Sequence, residues 1–249
     1  MKPYPDLVLH QFEFSHFNEK ARWALDYKGL DHRRDCYLPG PHIPPIKNLS
    51  GQSQTPVLDC EGSVIPGSAA IIAHLEQIAP SPALYPQQAE NRETAIALQH
   101  EFDQHLGPAV RTVIFSALIE EPNYLVNMFG RSKSALKRAL YRATFPLARG
   151  MIAKGNGVDD PGNVQLCFDE VSRNLDRIYN LLDGEVYLVN EGFSVADLTA
   201  AALLAPIASV DHTDMKRPQP IPGQVQQIID KFSEHPTIRW VQQTYTNHR

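Results

Sequence analysis

Three prolines within seven residues, Pro80, Pro82 and Pro86, interrupt the chain, and no regular element can run through them. The two sides read differently. Before the break, strand and helix signals are mixed. Leu7 to Phe14 alternates as a buried strand, and Phe17, Ala21, Ala24, Leu25 and Lys28 then recur at helical spacing with Gly29 as C-cap. Arg33 to Leu38 predicts a second strand, whereas the four prolines between Pro39 and Pro45 predict irregular chain. Val57 to Cys60 and Ser63 to Ile65, turning at Glu61-Gly62, predict a hairpin, and Ser68 opens a helix through Ile71, Ile72 and Leu75. After the break only helical patterns remain, over residues 89–118, 136–152, 164–182, 195–204, 225–232 and 238–245, with loops at 155–162 and 218–223. Two domains are expected, 1–85 and 86–249.

The formal net charge of -5 argues against a nucleic-acid binder, which normally carries a basic footprint. Cys36, Cys60 and Cys167 are too dispersed for a disulfide framework or a zinc pattern, and His100 and His105, five apart, diverge by about 140° on a helix. No metal is expected. Two prolines within Met1 to Asp6 do not read as a signal peptide, and the apolar stretch Leu198 to Val210 is shorter than the roughly 20 residues a membrane span needs. The expectation is a cytoplasmic protein without integral membrane association.

Three local motifs then point to a family. Ser15-His16-Phe17-Asn18-Glu19-Lys20-Ala21-Arg22 is similar to the first-turn pattern of the cytosolic glutathione transferase superfamily. Gln54-Thr55-Pro56-Val57-Leu58 resembles that superfamily's segment with a cis proline before the third strand, and Phe193-Ser194-Val195-Ala196-Asp197 its helix-capping box. The resemblance covers essentially the whole chain. It implies an α/β plus all-α protein: a thioredoxin-like domain that binds glutathione, then a helical bundle lining an electrophile pocket. It also implies a Ser-type transferase acting in detoxification, a homodimer with glutathione as co-substrate and a small hydrophobic electrophile as partner. A glutathione-dependent peroxidase and a non-catalytic glutathione-transferase-like binding or regulatory protein are the alternatives.

The residues in these motifs each allow a structural and a chemical role. Ser15 can cap the first helix, worth about 1 kcal/mol. By the resemblance it instead donates to the glutathione sulfur as the catalytic residue. Populating the thiolate near pH 6.5 from a thiol pKa of roughly 8.5 needs about 2.7 kcal/mol. A hydrogen bond to a charged acceptor supplies about 1.5 to 3 kcal/mol and the helix N-terminus about 0.3 to 1. Serine here disfavours thiol-disulfide exchange, which needs a thiolate nucleophile. His16, Phe17 and Asn18 complete the glutathione-binding first turn, with His16 expected to face solvent. Thr55, Pro56 and Val57 form the cis-proline turn, Val57 being expected to pair with the cysteinyl unit as an added strand. Gly67 and Ser68 open the third helix, where free amides suit the γ-glutamyl carboxylate. Gly67 departs from the family's acidic residue or Gln, and Ser68 is also an N-cap candidate.

Ser194 and Asp197 have the spacing of a capping box and are assigned to folding. Asp103 is expected on solvated helix surface, although the amino group of glutathione in a partner subunit is within its chemistry. Residues 131–154 hold seven basic and no acidic side chains. There Leu136, Leu140 and Leu147 predict a core-facing stripe, with the bases on a solvated face that could attract an anionic substrate or membrane surface.

Overall fold

The computed structural model describes residues 4–189 and 192–249. Strand β1 (Leu7–Phe12), helix α1 (His16–Tyr27), strand β2 (His32–Tyr37), helix α2 (Ile43–Ser50), strands β3 (Val57–Cys60) and β4 (Ser63–Pro66) and helix α3 (Ser68–Ile78) build the first part. The sheet has the order β2-β1-β3-β4, with β1 parallel to β2 and antiparallel to β3. That is the thioredoxin-like arrangement the sequence implied, and the Thr55-Pro56 bond is cis. The proline-rich stretch is only partly irregular. Pro44 and Pro45 sit in the first turn of α2, where a helix has no use for the amide hydrogen that proline lacks.

The rest is helical: α4 (Ala89–Glu101), α5 (Gly107–Leu118), α6 (Pro122–Phe129), α7 (Ala135–Gly155), α8 (Pro161–Leu182), α9 (Val195–Ala208), α10 (Gly223–Ser233) and α11 (Pro236–His248). A π-helical turn, Phe102–Leu106, joins α4 to α5 within the single helix expected over 89–118. Helix α9 is buried at every position and forms the axis of the helical part. Its capping box is formed: Ser194 accepts from the Ala196 amide, and the Asp197 carboxylate accepts from the Ser194 amide at 2.9 Å and the Leu188 amide at 2.8 Å.

Helix α7 turns out the other way round from its expected orientation. Tyr141, Phe145 and Ile152 face the core, while Leu136, Leu140 and Leu147 are exposed. Among the described residues, no helix is long and apolar enough to cross a membrane.

Helix α1 is fixed to the helical part by buried charge. Glu19, with no exposed surface, accepts from Arg22 Nε at 2.8 Å and from Arg249 Nε at 2.8 Å. The other nitrogens of Arg249 reach Asp26 and Asp214, each at 2.7 Å, and Arg34 binds both oxygens of Asp214. Three carboxylates and three guanidinium groups therefore balance. Burial alone would raise the Glu19 pKa, but the two guanidinium groups outweigh it and hold the carboxyl at about 2. Glu19, His212 and Asp214 also lie close enough together to resemble a metal site. Their carboxylates already serve these arginines, and we assign no ion there.

Candidate active site

A cleft of about 1100 Å³ runs between the sheet's end and helices α5 to α7. Its floor carries Ser15, His16 and Phe17 from the start of α1, Thr55 and Pro56 from the cis turn, and Gly67 and Ser68 from the start of α3. Phe12, Ile114, Phe115, Leu118 and Phe129 supply an apolar wall.

Ser15 stands at the N-cap position in extended conformation, half-buried, yet its side chain makes no capping bond. The hydroxyl is free for another acceptor. His16 is buried rather than solvent-facing, its Nε2 2.9 Å from the Gly107 carbonyl on α5. A carbonyl only accepts, so Nε2 carries the hydrogen. Burial, reinforced by the nearby Arg111 charge, lowers its pKa to about 3, and the ring is neutral at pH 7.

A histidine with a depressed folded pKa takes up its proton in the unfolded state first. Its contribution is present above pH 6.5 and is lost as pH falls towards 3. We expect His16→Asn to flatten the pH dependence of unfolding free energy between pH 6.5 and 5, removing up to about 1.4 kcal/mol per pH unit. Denaturant titrations across that range check this, and parallel slopes for both proteins would refute it.

Asn18 is fully buried and lies behind the cleft, where its Nδ2 donates to Thr55 Oγ1 at 3.3 Å, linking α1 to the cis turn. Val57 is also fully buried, paired with His10 on one side and Pro66 on the other, and does not line the cleft. Its backbone belongs to the sheet. The residue before the cis proline, Thr55, does line the cleft, and among the described residues its N–H and C=O have no partner within the chain. The free backbone edge at this turn therefore lies at Thr55, two residues before the position expected from the sequence.

Gly67, not Ser68, is the N-cap of α3, with φ of 92° and ψ of 140°. That backbone region strains side-chain-bearing residues, which accounts for glycine here. Its amide donates to Pro56 O at 2.9 Å, tying the start of α3 to the cis turn. Ser68 is the first helical residue, and the amides of Ser68, Ala69 and Ala70 precede the first intrahelical bond, from Ile71 to Gly67.

Of two further cleft residues, one was placed differently by the sequence and the other was missed by it. Asp103, on the π turn, lines the cleft and pairs at 2.6 Å with the fully buried Lys20, so it is not solvated surface. Arg111 is the one charged side chain in α5. It lines the cleft, its Nε is buried without a hydrogen-bond partner, and burial lowers its pKa. A lone charge within an apolar helix was the available signal.

A profile of the glutathione S-transferase N-terminal domain matches residues 9–83, the segment that carries Ser15, the cis turn and Ser68. Residues 9–83 are thus a glutathione S-transferase N-terminal domain. Glutathione S-transferase TCHQD of Arabidopsis thaliana is 24% identical over 224 residues, covering 82% of this chain and 78% of the relative. Among solved structures, the β-etherase LigF from Sphingobium sp. strain SYK-6 aligns with a TM-score of 0.62 at 18% identity, over 96% of this chain and 99% of that one. A theta-class glutathione S-transferase from Xanthomonas axonopodis pv. citri, solved with glutathione bound, aligns with a TM-score of 0.57 at 16% identity, over 94% and 96%.

Proposed function

We propose that the protein is a Ser-type glutathione transferase, in which the cleft floor holds glutathione and the Ser15 hydroxyl donates to its thiolate. The observation that carries the reading is the uncommitted Ser15 side chain at a helix N-terminus, in a cleft that also offers an unpaired backbone edge at Thr55 and free amides at Ser68. The cysteinyl unit pairs with Thr55 as a short added strand. The γ-glutamyl carboxylate meets the Ser68 hydroxyl and the first-turn amides of α3. The sulfur then lies at the start of α1, where the helix dipole favours negative charge.

The thiolate attacks an electrophilic carbon of a small apolar substrate seated against Phe115 and Phe129, forming the thioether bond while the leaving group departs with its electron pair, or while a double bond takes up a proton. Arg111 adds a desolvated positive charge to this wall, which suits a substrate whose carbonyl, nitro or carboxylate oxygens gain charge in the transition state. His16, neutral and bonded to Gly107, orients the first turn.

Titration calorimetry with glutathione, followed by a conjugation assay with a chloronitroarene, tests the reading. Ser68→Ala is expected to weaken glutathione binding by about 1 to 2 kcal/mol, since bonds to a carboxylate exceed neutral ones. An unchanged dissociation constant would leave Ser68 a helix-start residue only. Binding without conjugation of any electrophile would favour the non-catalytic alternative.

A further inference from the structure

Helix α7 also presents an apolar face outward, which carries four of the ten large hydrophobic side chains exposed among the described residues. Leu136, Leu140, Leu147 and Met151 are 80%, 64%, 89% and 58% exposed. Spaced by four, seven and four residues, they occupy a sector about 60° wide and about 22 Å long. Ala139, Ala143, Pro146 and Gly150 continue the exposed face. Arg138, Arg142 and Arg149 run along one side, Lys137 along the other, and Lys154 stands at the C-terminal end. Of these five only Arg149 has an ion-pair partner, Glu120, among the described residues. Residues 131–154 contain no acid at all, in a chain whose net charge is -5.

Single exposed leucines are ordinary, but a contiguous stripe marks a contact surface. A second copy fits poorly, because a two-fold contact would bring the same unpaired bases against one another. The stripe also lacks the Tyr and Trp anchors that centre most protein interfaces, its residues being aliphatic throughout. An aliphatic strip with a basic rim matches the boundary between acyl chains and anionic headgroups.

We propose that α7 docks the protein peripherally on a membrane surface rich in anionic lipid, with Leu136, Leu140, Leu147 and Met151 entering the acyl boundary and Lys137, Arg138, Arg142 and Lys154 meeting the phosphates. Met151 and its neighbours Ile152 and Gly155 also line the cleft. Docking therefore turns the cleft mouth towards the bilayer, and the electrophile it favours is one dissolved in lipid. That last consequence rests on the transferase reading; the docking does not.

The test is co-sedimentation of the full chain, without glutathione, with vesicles of phosphatidylcholine alone or mixed with phosphatidylglycerol. The expected result is binding to the anionic vesicles that weakens as salt is raised, with little binding to phosphatidylcholine alone. Lys137→Gln/Arg142→Gln should lower the partition coefficient about 30-fold, and Leu140→Glu/Leu147→Glu at least about tenfold. All four positions are exposed, so melting temperatures should not change, and thermal melts of each variant confirm that it is folded. Wild-type protein left in the supernatant with both vesicles, or variants that bind as well as wild type, would overturn the proposal. So would a dimer in sedimentation velocity that Leu140→Glu/Leu147→Glu splits, which would make the stripe a self-interface. No conjugation assay enters, so failure here and failure of the transferase reading are separable.

Discussion

Ser15→Ala should fold normally and conjugate glutathione at neutral pH roughly 10 to 100-fold more slowly, the rate equivalent of losing about 1.5 to 3 kcal/mol of thiolate stabilisation. The fold should tolerate the change because the Ser15 hydroxyl caps nothing and its removal orphans no amide. The apparent thiol pKa in the complex should rise, so the deficit should shrink at high pH. The pH-rate profile at saturating glutathione, compared for both proteins, decides it. Superimposable curves would move the role away from the hydroxyl. His16 and Asn18 are poor substitutes, one being committed to Gly107 and the other to Thr55, which leaves the first-turn amides of α1. Ser15→Cys should introduce mixed-disulfide exchange, since its thiolate can attack a disulfide as a hydroxyl cannot.

The largest stability effect is expected at Glu19. Glu19→Ala leaves the Arg22 and Arg249 guanidinium groups facing each other in a site closed to water, and unpairing a buried charge typically costs about 3 to 5 kcal/mol. A urea titration measures this, and a loss below about 1 kcal/mol would mean that the cluster relaxes around the gap. The depressed carboxyl pKa sets the sign with acid. Its contribution is complete above pH 4.5 and is lost as pH falls towards 2, so wild type and Glu19→Ala should converge in stability across that window.

Local signals in the chain were readable where a residue's role depends on its immediate neighbours. The strand alternation, the cis turn and the Ser194-Asp197 box all act within a few residues, and all three stand as read. Helix α2 was lost because prolines were read as breakers, although at the first turn they forfeit nothing. Helix α7 carries two apolar stripes, Tyr141-Phe145-Ile152 and Leu136-Leu140-Leu147, and periodicity alone does not say which meets the core. In the candidate site, the partners of His16 and Lys20 lie on elements far along the chain. Val57 was chosen over Thr55 because the free backbone edge becomes visible only once β3 has its neighbours on both sides.

The π turn between α4 and α5 makes the shape of the cleft a matter of residue count. One residue more than an α-helix would use sits at Phe102–Leu106, and everything after it is rotated by about 100° relative to an uninterrupted helix. Arg111, Ile114 and Phe115 reach the cleft in that rotated frame. A single-residue deletion there would turn Arg111 off the wall and present a different set of α5 side chains. Point substitutions grade such a pocket residue by residue, whereas a length change in this turn exchanges its whole upper lining at once. Relatives that share the sheet and first turn but differ by one residue here would thus share the cleft floor and diverge in what they receive above it.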